Sequence, residues 1–244
     1  MKYGETLDWK SLSVTSVPVL QLGEVHLWWV PLIIDEQQST KFLPKLSDKQ
    51  HERMLRLPTQ EKQNRYLAGR GFLHQLVCAY LSVDTFELEF GRYGKPALKK
   101  QNNSLHFNFS DTCGYGLFAF SLGAEVGVDL ESAARRGRFQ QIIDRRFSPE
   151  EQAIIDGQDA EQFLACWTRK EAYGKAMGVG LNYPLDEHVL CDSLAHAVSI
   201  SSDEKWCLQQ LAIEYESQKF IACLASEGAQ KKELQAFKLI DGVN

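Results

Sequence analysis

The chain has 244 residues, 44% of them hydrophobic, which suffices for a sizeable core in one large domain or two small ones and sets aside a disordered chain. Its formal net charge is −5, so nothing global suits it to coating nucleic acid or an anionic membrane, and any anionic ligand must be held by a local cluster of cations. The 6 cysteines form no C-x-x-C pair and sit among apolar neighbours, as reduced core residues do.

The first residues, MKYGETLDWKSLS, hold no apolar signal core, and the most apolar run, VHLWWVPLII, is too short to span a bilayer. A cytoplasmic protein is expected. EVHLWWV alternates as a strand does. Residues Glu61 to Leu81 predict a helix, because Tyr66, Leu67, Phe72, Leu73, Leu76, Val77, Tyr80 and Leu81 recur at the three-and-four spacing of one buried face. Two strands follow: FELEF, with Phe86, Leu88 and Phe90 on one side, and LHFNF, with Leu105, Phe107 and Phe109. GRYGKP reads as the turn between them. YGLFAFSLGAEVGVDLE predicts a hairpin turning at Gly123. In FSPEE, Ser148 as N-cap, Pro149 at the first helical position and Glu151 returning to the cap predict a helix start. Gly157 is expected to end that helix, and another runs from Glu161 to Met177 and stops at Gly178. HAVSIS, CLQQLAIEY and KFIACLAS are late strand candidates. Elements of similar kind recur in the two halves of this α+β layout, and a boundary is expected near residues 115–125.

Within GVDLES, strand alternation sends Val126, Val128 and Leu130 one way and Gly127, Asp129 and Glu131 the other. The two carboxylates share a face, roughly 7 Å apart at the strand rise, so both can touch one cation. A solvated strand face is the bland alternative. On a helical wheel, Phe163, Leu164, Cys166, Trp167, Tyr173 and Met177 form an apolar stripe that also contains Glu171 and Lys170, with Lys175 on its edge. A carboxylate aimed at a core is costly unless paired or metal-bound. Two readings stand: an ion pair of Glu171 with Lys175 or Lys170, or a site completed with Asp129 and Glu131. Oxygen ligands without cysteine or histidine suit Mg²⁺, and Mg²⁺ bound through carboxylates favours a substrate carrying a di- or triphosphate.

GVDLES, then FSPEE, then WTRKEAYGKAMGVGL resembles, in order and separation, the signature series of the 4'-phosphopantetheinyl transferases of the larger, surfactin-synthetase-activating type. YGKP and HFNFSD resemble that family's nucleotide turn and its F-N-[ILF]-S-H-[ST] segment, and LSDKQHERMLRLPTQEKQNRYLAGR its early helical region. The resemblance covers about Leu46 to Leu181. It implies two similar α+β halves forming a pseudo-dimer, here residues 1–120 and 121–244, with coenzyme A between a nucleotide-binding first half and a catalytic second half. A monomer is expected.

The resemblance further implies that the 4'-phosphopantetheine arm of coenzyme A moves to a serine of an apo acyl or peptidyl carrier protein, releasing adenosine 3',5'-bisphosphate. Asp129, Glu131 and Glu171 would hold Mg²⁺; Glu171, or a water it orients, would be the base; and Lys175 would contact the phosphate. Arg53 and Arg65 would clamp the 3'-phosphate, Lys95 and Pro96 would sit at the nucleotide end, Ser110 would donate to a phosphate, and Lys170 would act as an orienting partner. Asp111 departs from the pattern, since the family carries histidine there. An anion beside coenzyme A is expected either to turn away or to weaken binding, so that Asp111→His tightens it. The basic run ARRGRFQQIIDRRF is a candidate steering patch for acidic carriers. Fatty acid, polyketide and nonribosomal peptide synthases all supply such carriers. Alternatives are a non-catalytic module that binds coenzyme A or carriers, and another Mg²⁺-dependent phosphotransferase.

Overall fold

Alternation along the strands sorts the core into three layers. The structure, a computed structural model, describes residues 3–99, 104–179, 184–191, 198–200 and 205–240. In chain order the elements are β1 (Trp9–Leu12), β2 (Glu24–Pro31), α1 (Glu36–Phe42), α2 (Asp48–Leu55), α3 (Gln60–Leu81), β3 (Leu88–Phe90), β4 (Pro96–Leu98), β5 (Leu105–Thr112), β6 (Tyr115–Leu122), β7 (Val126–Ser132), α4 (Phe139–Arg146), α5 (Pro149–Gln152), α6 (Ala160–Met177), β8 (Val198–Ile200), β9 (Trp206–Tyr215), β10 (Gln218–Glu227) and β11 (Glu233–Leu239).

One sheet has the order β1-β11-β2-β6-β5 and a second β7-β10-β9-β8, with β3 and β4 forming a small ribbon. Trp28, Val30, Phe118 and Phe120 face α3, whereas Val25, Leu27, Trp29, Leu117 and Ala119 face Val126, Val128, Leu130, Leu211, Ala222 and Leu224 of the second sheet. The other face of that second sheet, through Ile221, Cys223 and Ala225, packs on Phe163, Leu164 and Ala172 of α6. The result is helix, sheet, sheet, helix: two α+β units face to face. The ends of the chain cross between them, since β11 lies parallel to β2 in the first sheet while Glu5 bridges to Leu211 of the second.

The expected hairpin turning at Gly123 is corrected. Both edges of β6 are taken, by β2 and β5, so β7 crosses to the other sheet and pairs with β10. The hairpin is instead β5–β6, turning at Cys113 and Gly114, both at positive φ (49° and 83°). Cys113 is therefore an exposed thiol rather than a core one, and Cys78 is only half-buried; the other four cysteines are buried, and all six are free. FELEF shortens to three paired residues, Leu88–Phe90. Of HAVSIS, residues 196, 197 and 201 lie outside the described residues, and the rest is β8.

The helix ends follow the expected chemistry. Ser148 caps α5 with a full capping box from Glu151, although α5 stops at Gln152, well before Gly157. Gly178 (φ 69°) closes α6 in the left-handed region.

Candidate active site

Gly127 decides how closely α6 approaches β7. A Cβ there would run into the Ala172 carbonyl oxygen and the Ala176 backbone, so a bare strand backbone lets the helix settle directly on the sheet. Two residues on, Asp129 projects from the same face of β7 and is only 5% exposed, which excludes the solvated-face reading. Its Oδ1 accepts from Ser110 Oγ at 2.9 Å and from Lys175 Nζ at 2.7 Å. Lys175 also donates to Ser110 Oγ at 2.8 Å and to the Val128 carbonyl at 3.2 Å. Asn108 ties the two sheets beside this cluster by accepting from the Val128 N–H at 3.0 Å.

Glu131 and Glu171 complete an acidic patch. Burial, then the charge of Asp129, raises the Glu131 carboxyl, against the pull of Arg135, which pairs with it, and of a Trp167 hydrogen bond. Burial, followed by Asp129 and partly offset by Lys175, pushes Glu171 up to about 7. Asp129 Oδ2 and Glu171 Oε1 are buried without a hydrogen-bond partner. Unpaired buried carboxylate oxygens are costly. Among the described residues no three His, Cys, Asp or Glu side chains stand as a ready-made metal cage. The donor set nevertheless fits a hard dication: it is all oxygen, it is mutually repelling, and two of its atoms are bare.

Beside this patch lies a cleft of about 340 Å³ whose lining includes Arg70, Tyr93, Pro96, Ser110, Asp111 and Lys175. It runs from the β3–β4 ribbon and β5 across to α6, so both units contribute. Lys95 lines it too, yet its ammonium is committed to Glu125 at 2.6 Å and to the carbonyls of Val126 and Ala176, stitching the ribbon to β7 and α6. Arg65 pairs with Asp111 through Nε at 3.2 Å. Arg53 lies over the Tyr66 ring, 5.9 Å from its centroid, outside the cleft lining.

Lys170 is not at the cleft. It is 0% exposed, pairs with the equally buried Glu151 at 2.5 Å and donates to the His188 carbonyl at 2.6 Å, so a contact between its ammonium and coenzyme A is out of reach. Sequence reasoning missed Arg70, whose guanidinium lies 4.8 Å over Phe109 and 5.1 Å over Tyr66 with its Nε unpartnered. It also missed Asn108, although strand alternation already placed Asn108 on the face of Ser110.

A deep carboxylate patch beside a cation-lined cleft between two α+β units defines a class of enzyme that handles a phosphorylated ligand, and the chain belongs to the 4'-phosphopantetheinyl transferase family. A family model described as the 4'-phosphopantetheinyl transferase superfamily matches residues 125–229. The chain is similar to the 4'-phosphopantetheinyl transferase HetI of Nostoc sp., with 31% identity over 196 residues covering 77% of this chain and 82% of the relative. It is also similar to the L-aminoadipate-semialdehyde dehydrogenase-phosphopantetheinyl transferase of Candida glabrata (31% identity; 72% and 70% covered) and to the 4'-phosphopantetheinyl transferase AcpT of Escherichia coli O157:H7 (32%; 50% and 61%). Enzymes of this family transfer phosphopantetheine from coenzyme A to carrier proteins, which answers the alternatives of a non-catalytic module and an unrelated phosphotransferase.

Proposed function

We propose that coenzyme A lies in the cleft with its pyrophosphate against Asp129, Glu131 and Glu171, and that its phosphopantetheine arm passes to a serine of an apo acyl or peptidyl carrier protein. The observation that carries this reading is the pair of buried, partnerless oxygens, Asp129 Oδ2 and Glu171 Oε1, beside the cleft wall formed by Ser110 and Lys175. The serine Oγ attacks the phosphorus bearing the pantetheine arm, the bridging P–O bond breaks, and adenosine 3',5'-bisphosphate leaves with the electron pair.

Mg²⁺ held by Asp129, Glu131 and Glu171 would neutralise pyrophosphate charge when bound. The remaining steps belong to the chain itself. Lys175 and Ser110 present an ammonium and a hydroxyl to a phosphate oxygen. Glu171, pushed up to about 7 in the metal-free site, would give up its proton when Mg²⁺ binds, and its carboxylate, or a water it orients, would then take the serine proton. Arg53 and Arg70 gather guanidinium charge around Tyr66, and Arg65 stands at Asp111 on the cleft wall, for the 3'-phosphate; Tyr93 and Pro96 flank the nucleotide end.

Among the described residues no helix is long and apolar enough to cross a membrane, and a cytoplasmic monomer is the reading we adopt, because the two units already cover each other's sheets. The test is intact-protein mass spectrometry of apo carriers incubated with the protein, coenzyme A and Mg²⁺, beside Glu171→Ala. A gain of one phosphopantetheine, lost in the variant and on chelation, is expected. No gain on any carrier while coenzyme A still binds overturns the proposal.

A further inference from the structure

Asp111 stands at the end of β5 on the wall of the cleft, where the family pattern has histidine, and its carboxylate ion-pairs with Arg65 of α3 across 46 positions of sequence. Both side chains are about one-third exposed (36% and 33%), so the pair contributes little to stability. Its consequence is geometric. A guanidinium is a rigid planar fork; the carboxylate approaches its Nε, and neither Nη makes a hydrogen bond among the described residues. The residue that follows Arg65, Tyr66, carries two further guanidinium groups against its ring, those of Arg53 and Arg70. The carboxylate therefore does not face a ligand as a bare anion.

We infer that Asp111 is a positioning residue: it holds Arg65 by one edge so that the Nη pair is presented to an anionic group of coenzyme A, the 3'-phosphate in the reading above, on which this inference rests. Anchoring the side chain beforehand spares the rotamer ordering that binding otherwise demands. Where the family pattern has a histidine able to donate to a phosphate, this chain has a carboxylate that aims an arginine. The expectation that Asp111 merely repels coenzyme A, and that histidine would tighten binding, is replaced accordingly.

Calorimetric titration of coenzyme A and 3'-dephospho-coenzyme A into the full chain tests this, with Asp111→Ala, Asp111→Asn, Arg65→Gln and the Asp111→Ala/Arg65→Gln double variant. Arg65→Gln is expected to cut the preference for coenzyme A by about tenfold or more, as loss of a charged hydrogen bond does. Asp111→Ala should cut it about fivefold, within the range of coupled neighbours, with no further cut when Arg65 is already replaced. Asp111→Asn, which keeps the side chain's shape but removes the charge of the ion pair, should lose about as much of the preference as Asp111→Ala. An unchanged or increased preference in Asp111→Ala, or an equal loss for both ligands, overturns the positioning role and leaves the site reading standing. Arg65→Gln without effect, or a wild type that binds both forms equally, overturns the placement of the 3'-phosphate and the inference with it.

Discussion

Lys175 Nζ lies 2.7 Å from Asp129 Oδ1, and the same ammonium reaches Ser110 Oγ and the Val128 carbonyl, so one side chain of α6 fastens the acidic strand of one unit to the end of β5 in the other. The arrangement saturates one oxygen of Asp129 and leaves the other bare. Lys175→Ala should lower phosphopantetheine transfer at saturating coenzyme A at least about 100-fold, the scale of losing one charge-stabilising group. The rate is read by mass spectrometry of the carrier; a loss under tenfold removes Lys175 from the phosphate.

Glu171 at about 7 is partly protonated near neutrality, so a dication taking its carboxylate must release a proton. Mg²⁺ affinity should rise about tenfold between pH 6 and pH 8 and fall sharply in Glu171→Gln. Calorimetry in two buffers of different ionisation enthalpy measures both the affinity and the proton count. An affinity independent of pH excludes Glu171 as a ligand.

Raised above its unfolded value of 4.5, the Glu171 carboxyl also destabilises the metal-free fold as pH climbs from 4.5 through about 7. Without metal at pH 8, Glu171→Gln is expected to melt a few degrees higher than wild type, consistent with a gain on the order of 1 kcal/mol. At pH 5 the two should coincide. Equal melting temperatures at both pH values reject the assigned burial cost.

The Glu151–Lys170 pair is wholly buried and further bound to the Leu190 N–H and the His188 carbonyl. Lys170→Met alone should cost about 3–5 kcal/mol, because it strands the carboxylate, whereas pairing it with Glu151→Leu should recover much of the loss. Thermal unfolding distinguishes this from simple additivity.

Burial alone would raise Glu125, but hydrogen bonds from His106 and Lys95 outweigh it and pull the carboxyl down to about 2. Its contribution is fully present above its unfolded value of 4.5 and disappears as pH falls from there toward 2. Glu125→Gln should therefore melt below wild type at pH 6, with the gap narrowing below pH 4.5. A gap that stays constant with pH contradicts the assignment.

Arg136, Arg138 and Arg145 are exposed in the segment that follows the acidic strand β7, whereas Arg135 is engaged by Glu131. Reversing Arg138 and Arg145 to glutamate should raise the apparent KM for an acidic carrier and flatten its salt dependence, with coenzyme A binding unchanged. An unaltered salt dependence places carrier docking elsewhere.

Much of this was legible in one dimension, because side-chain periodicity depends only on local backbone geometry. Alternation alone put Asp129 and Glu131 on one face of β7, the three-and-four pattern set α3 and placed Glu171 within the packed stripe of α6, and Ser148 with Glu151 announced a cap. Periodicity names a face and never the partner of that face. Hence the sequence could not tell that β6 and β7 part company, because that depends on β2 and β5 already occupying both edges of β6. Nor could it separate two lysines five residues apart on one helix: distant Glu151 draws Lys170 into the core, while Asp129 and Ser110 draw Lys175 to the cleft. The pairing of Arg65 with Asp111 is of the same kind, a contact between residues far apart in sequence that exists only once α3 has packed beside the end of β5.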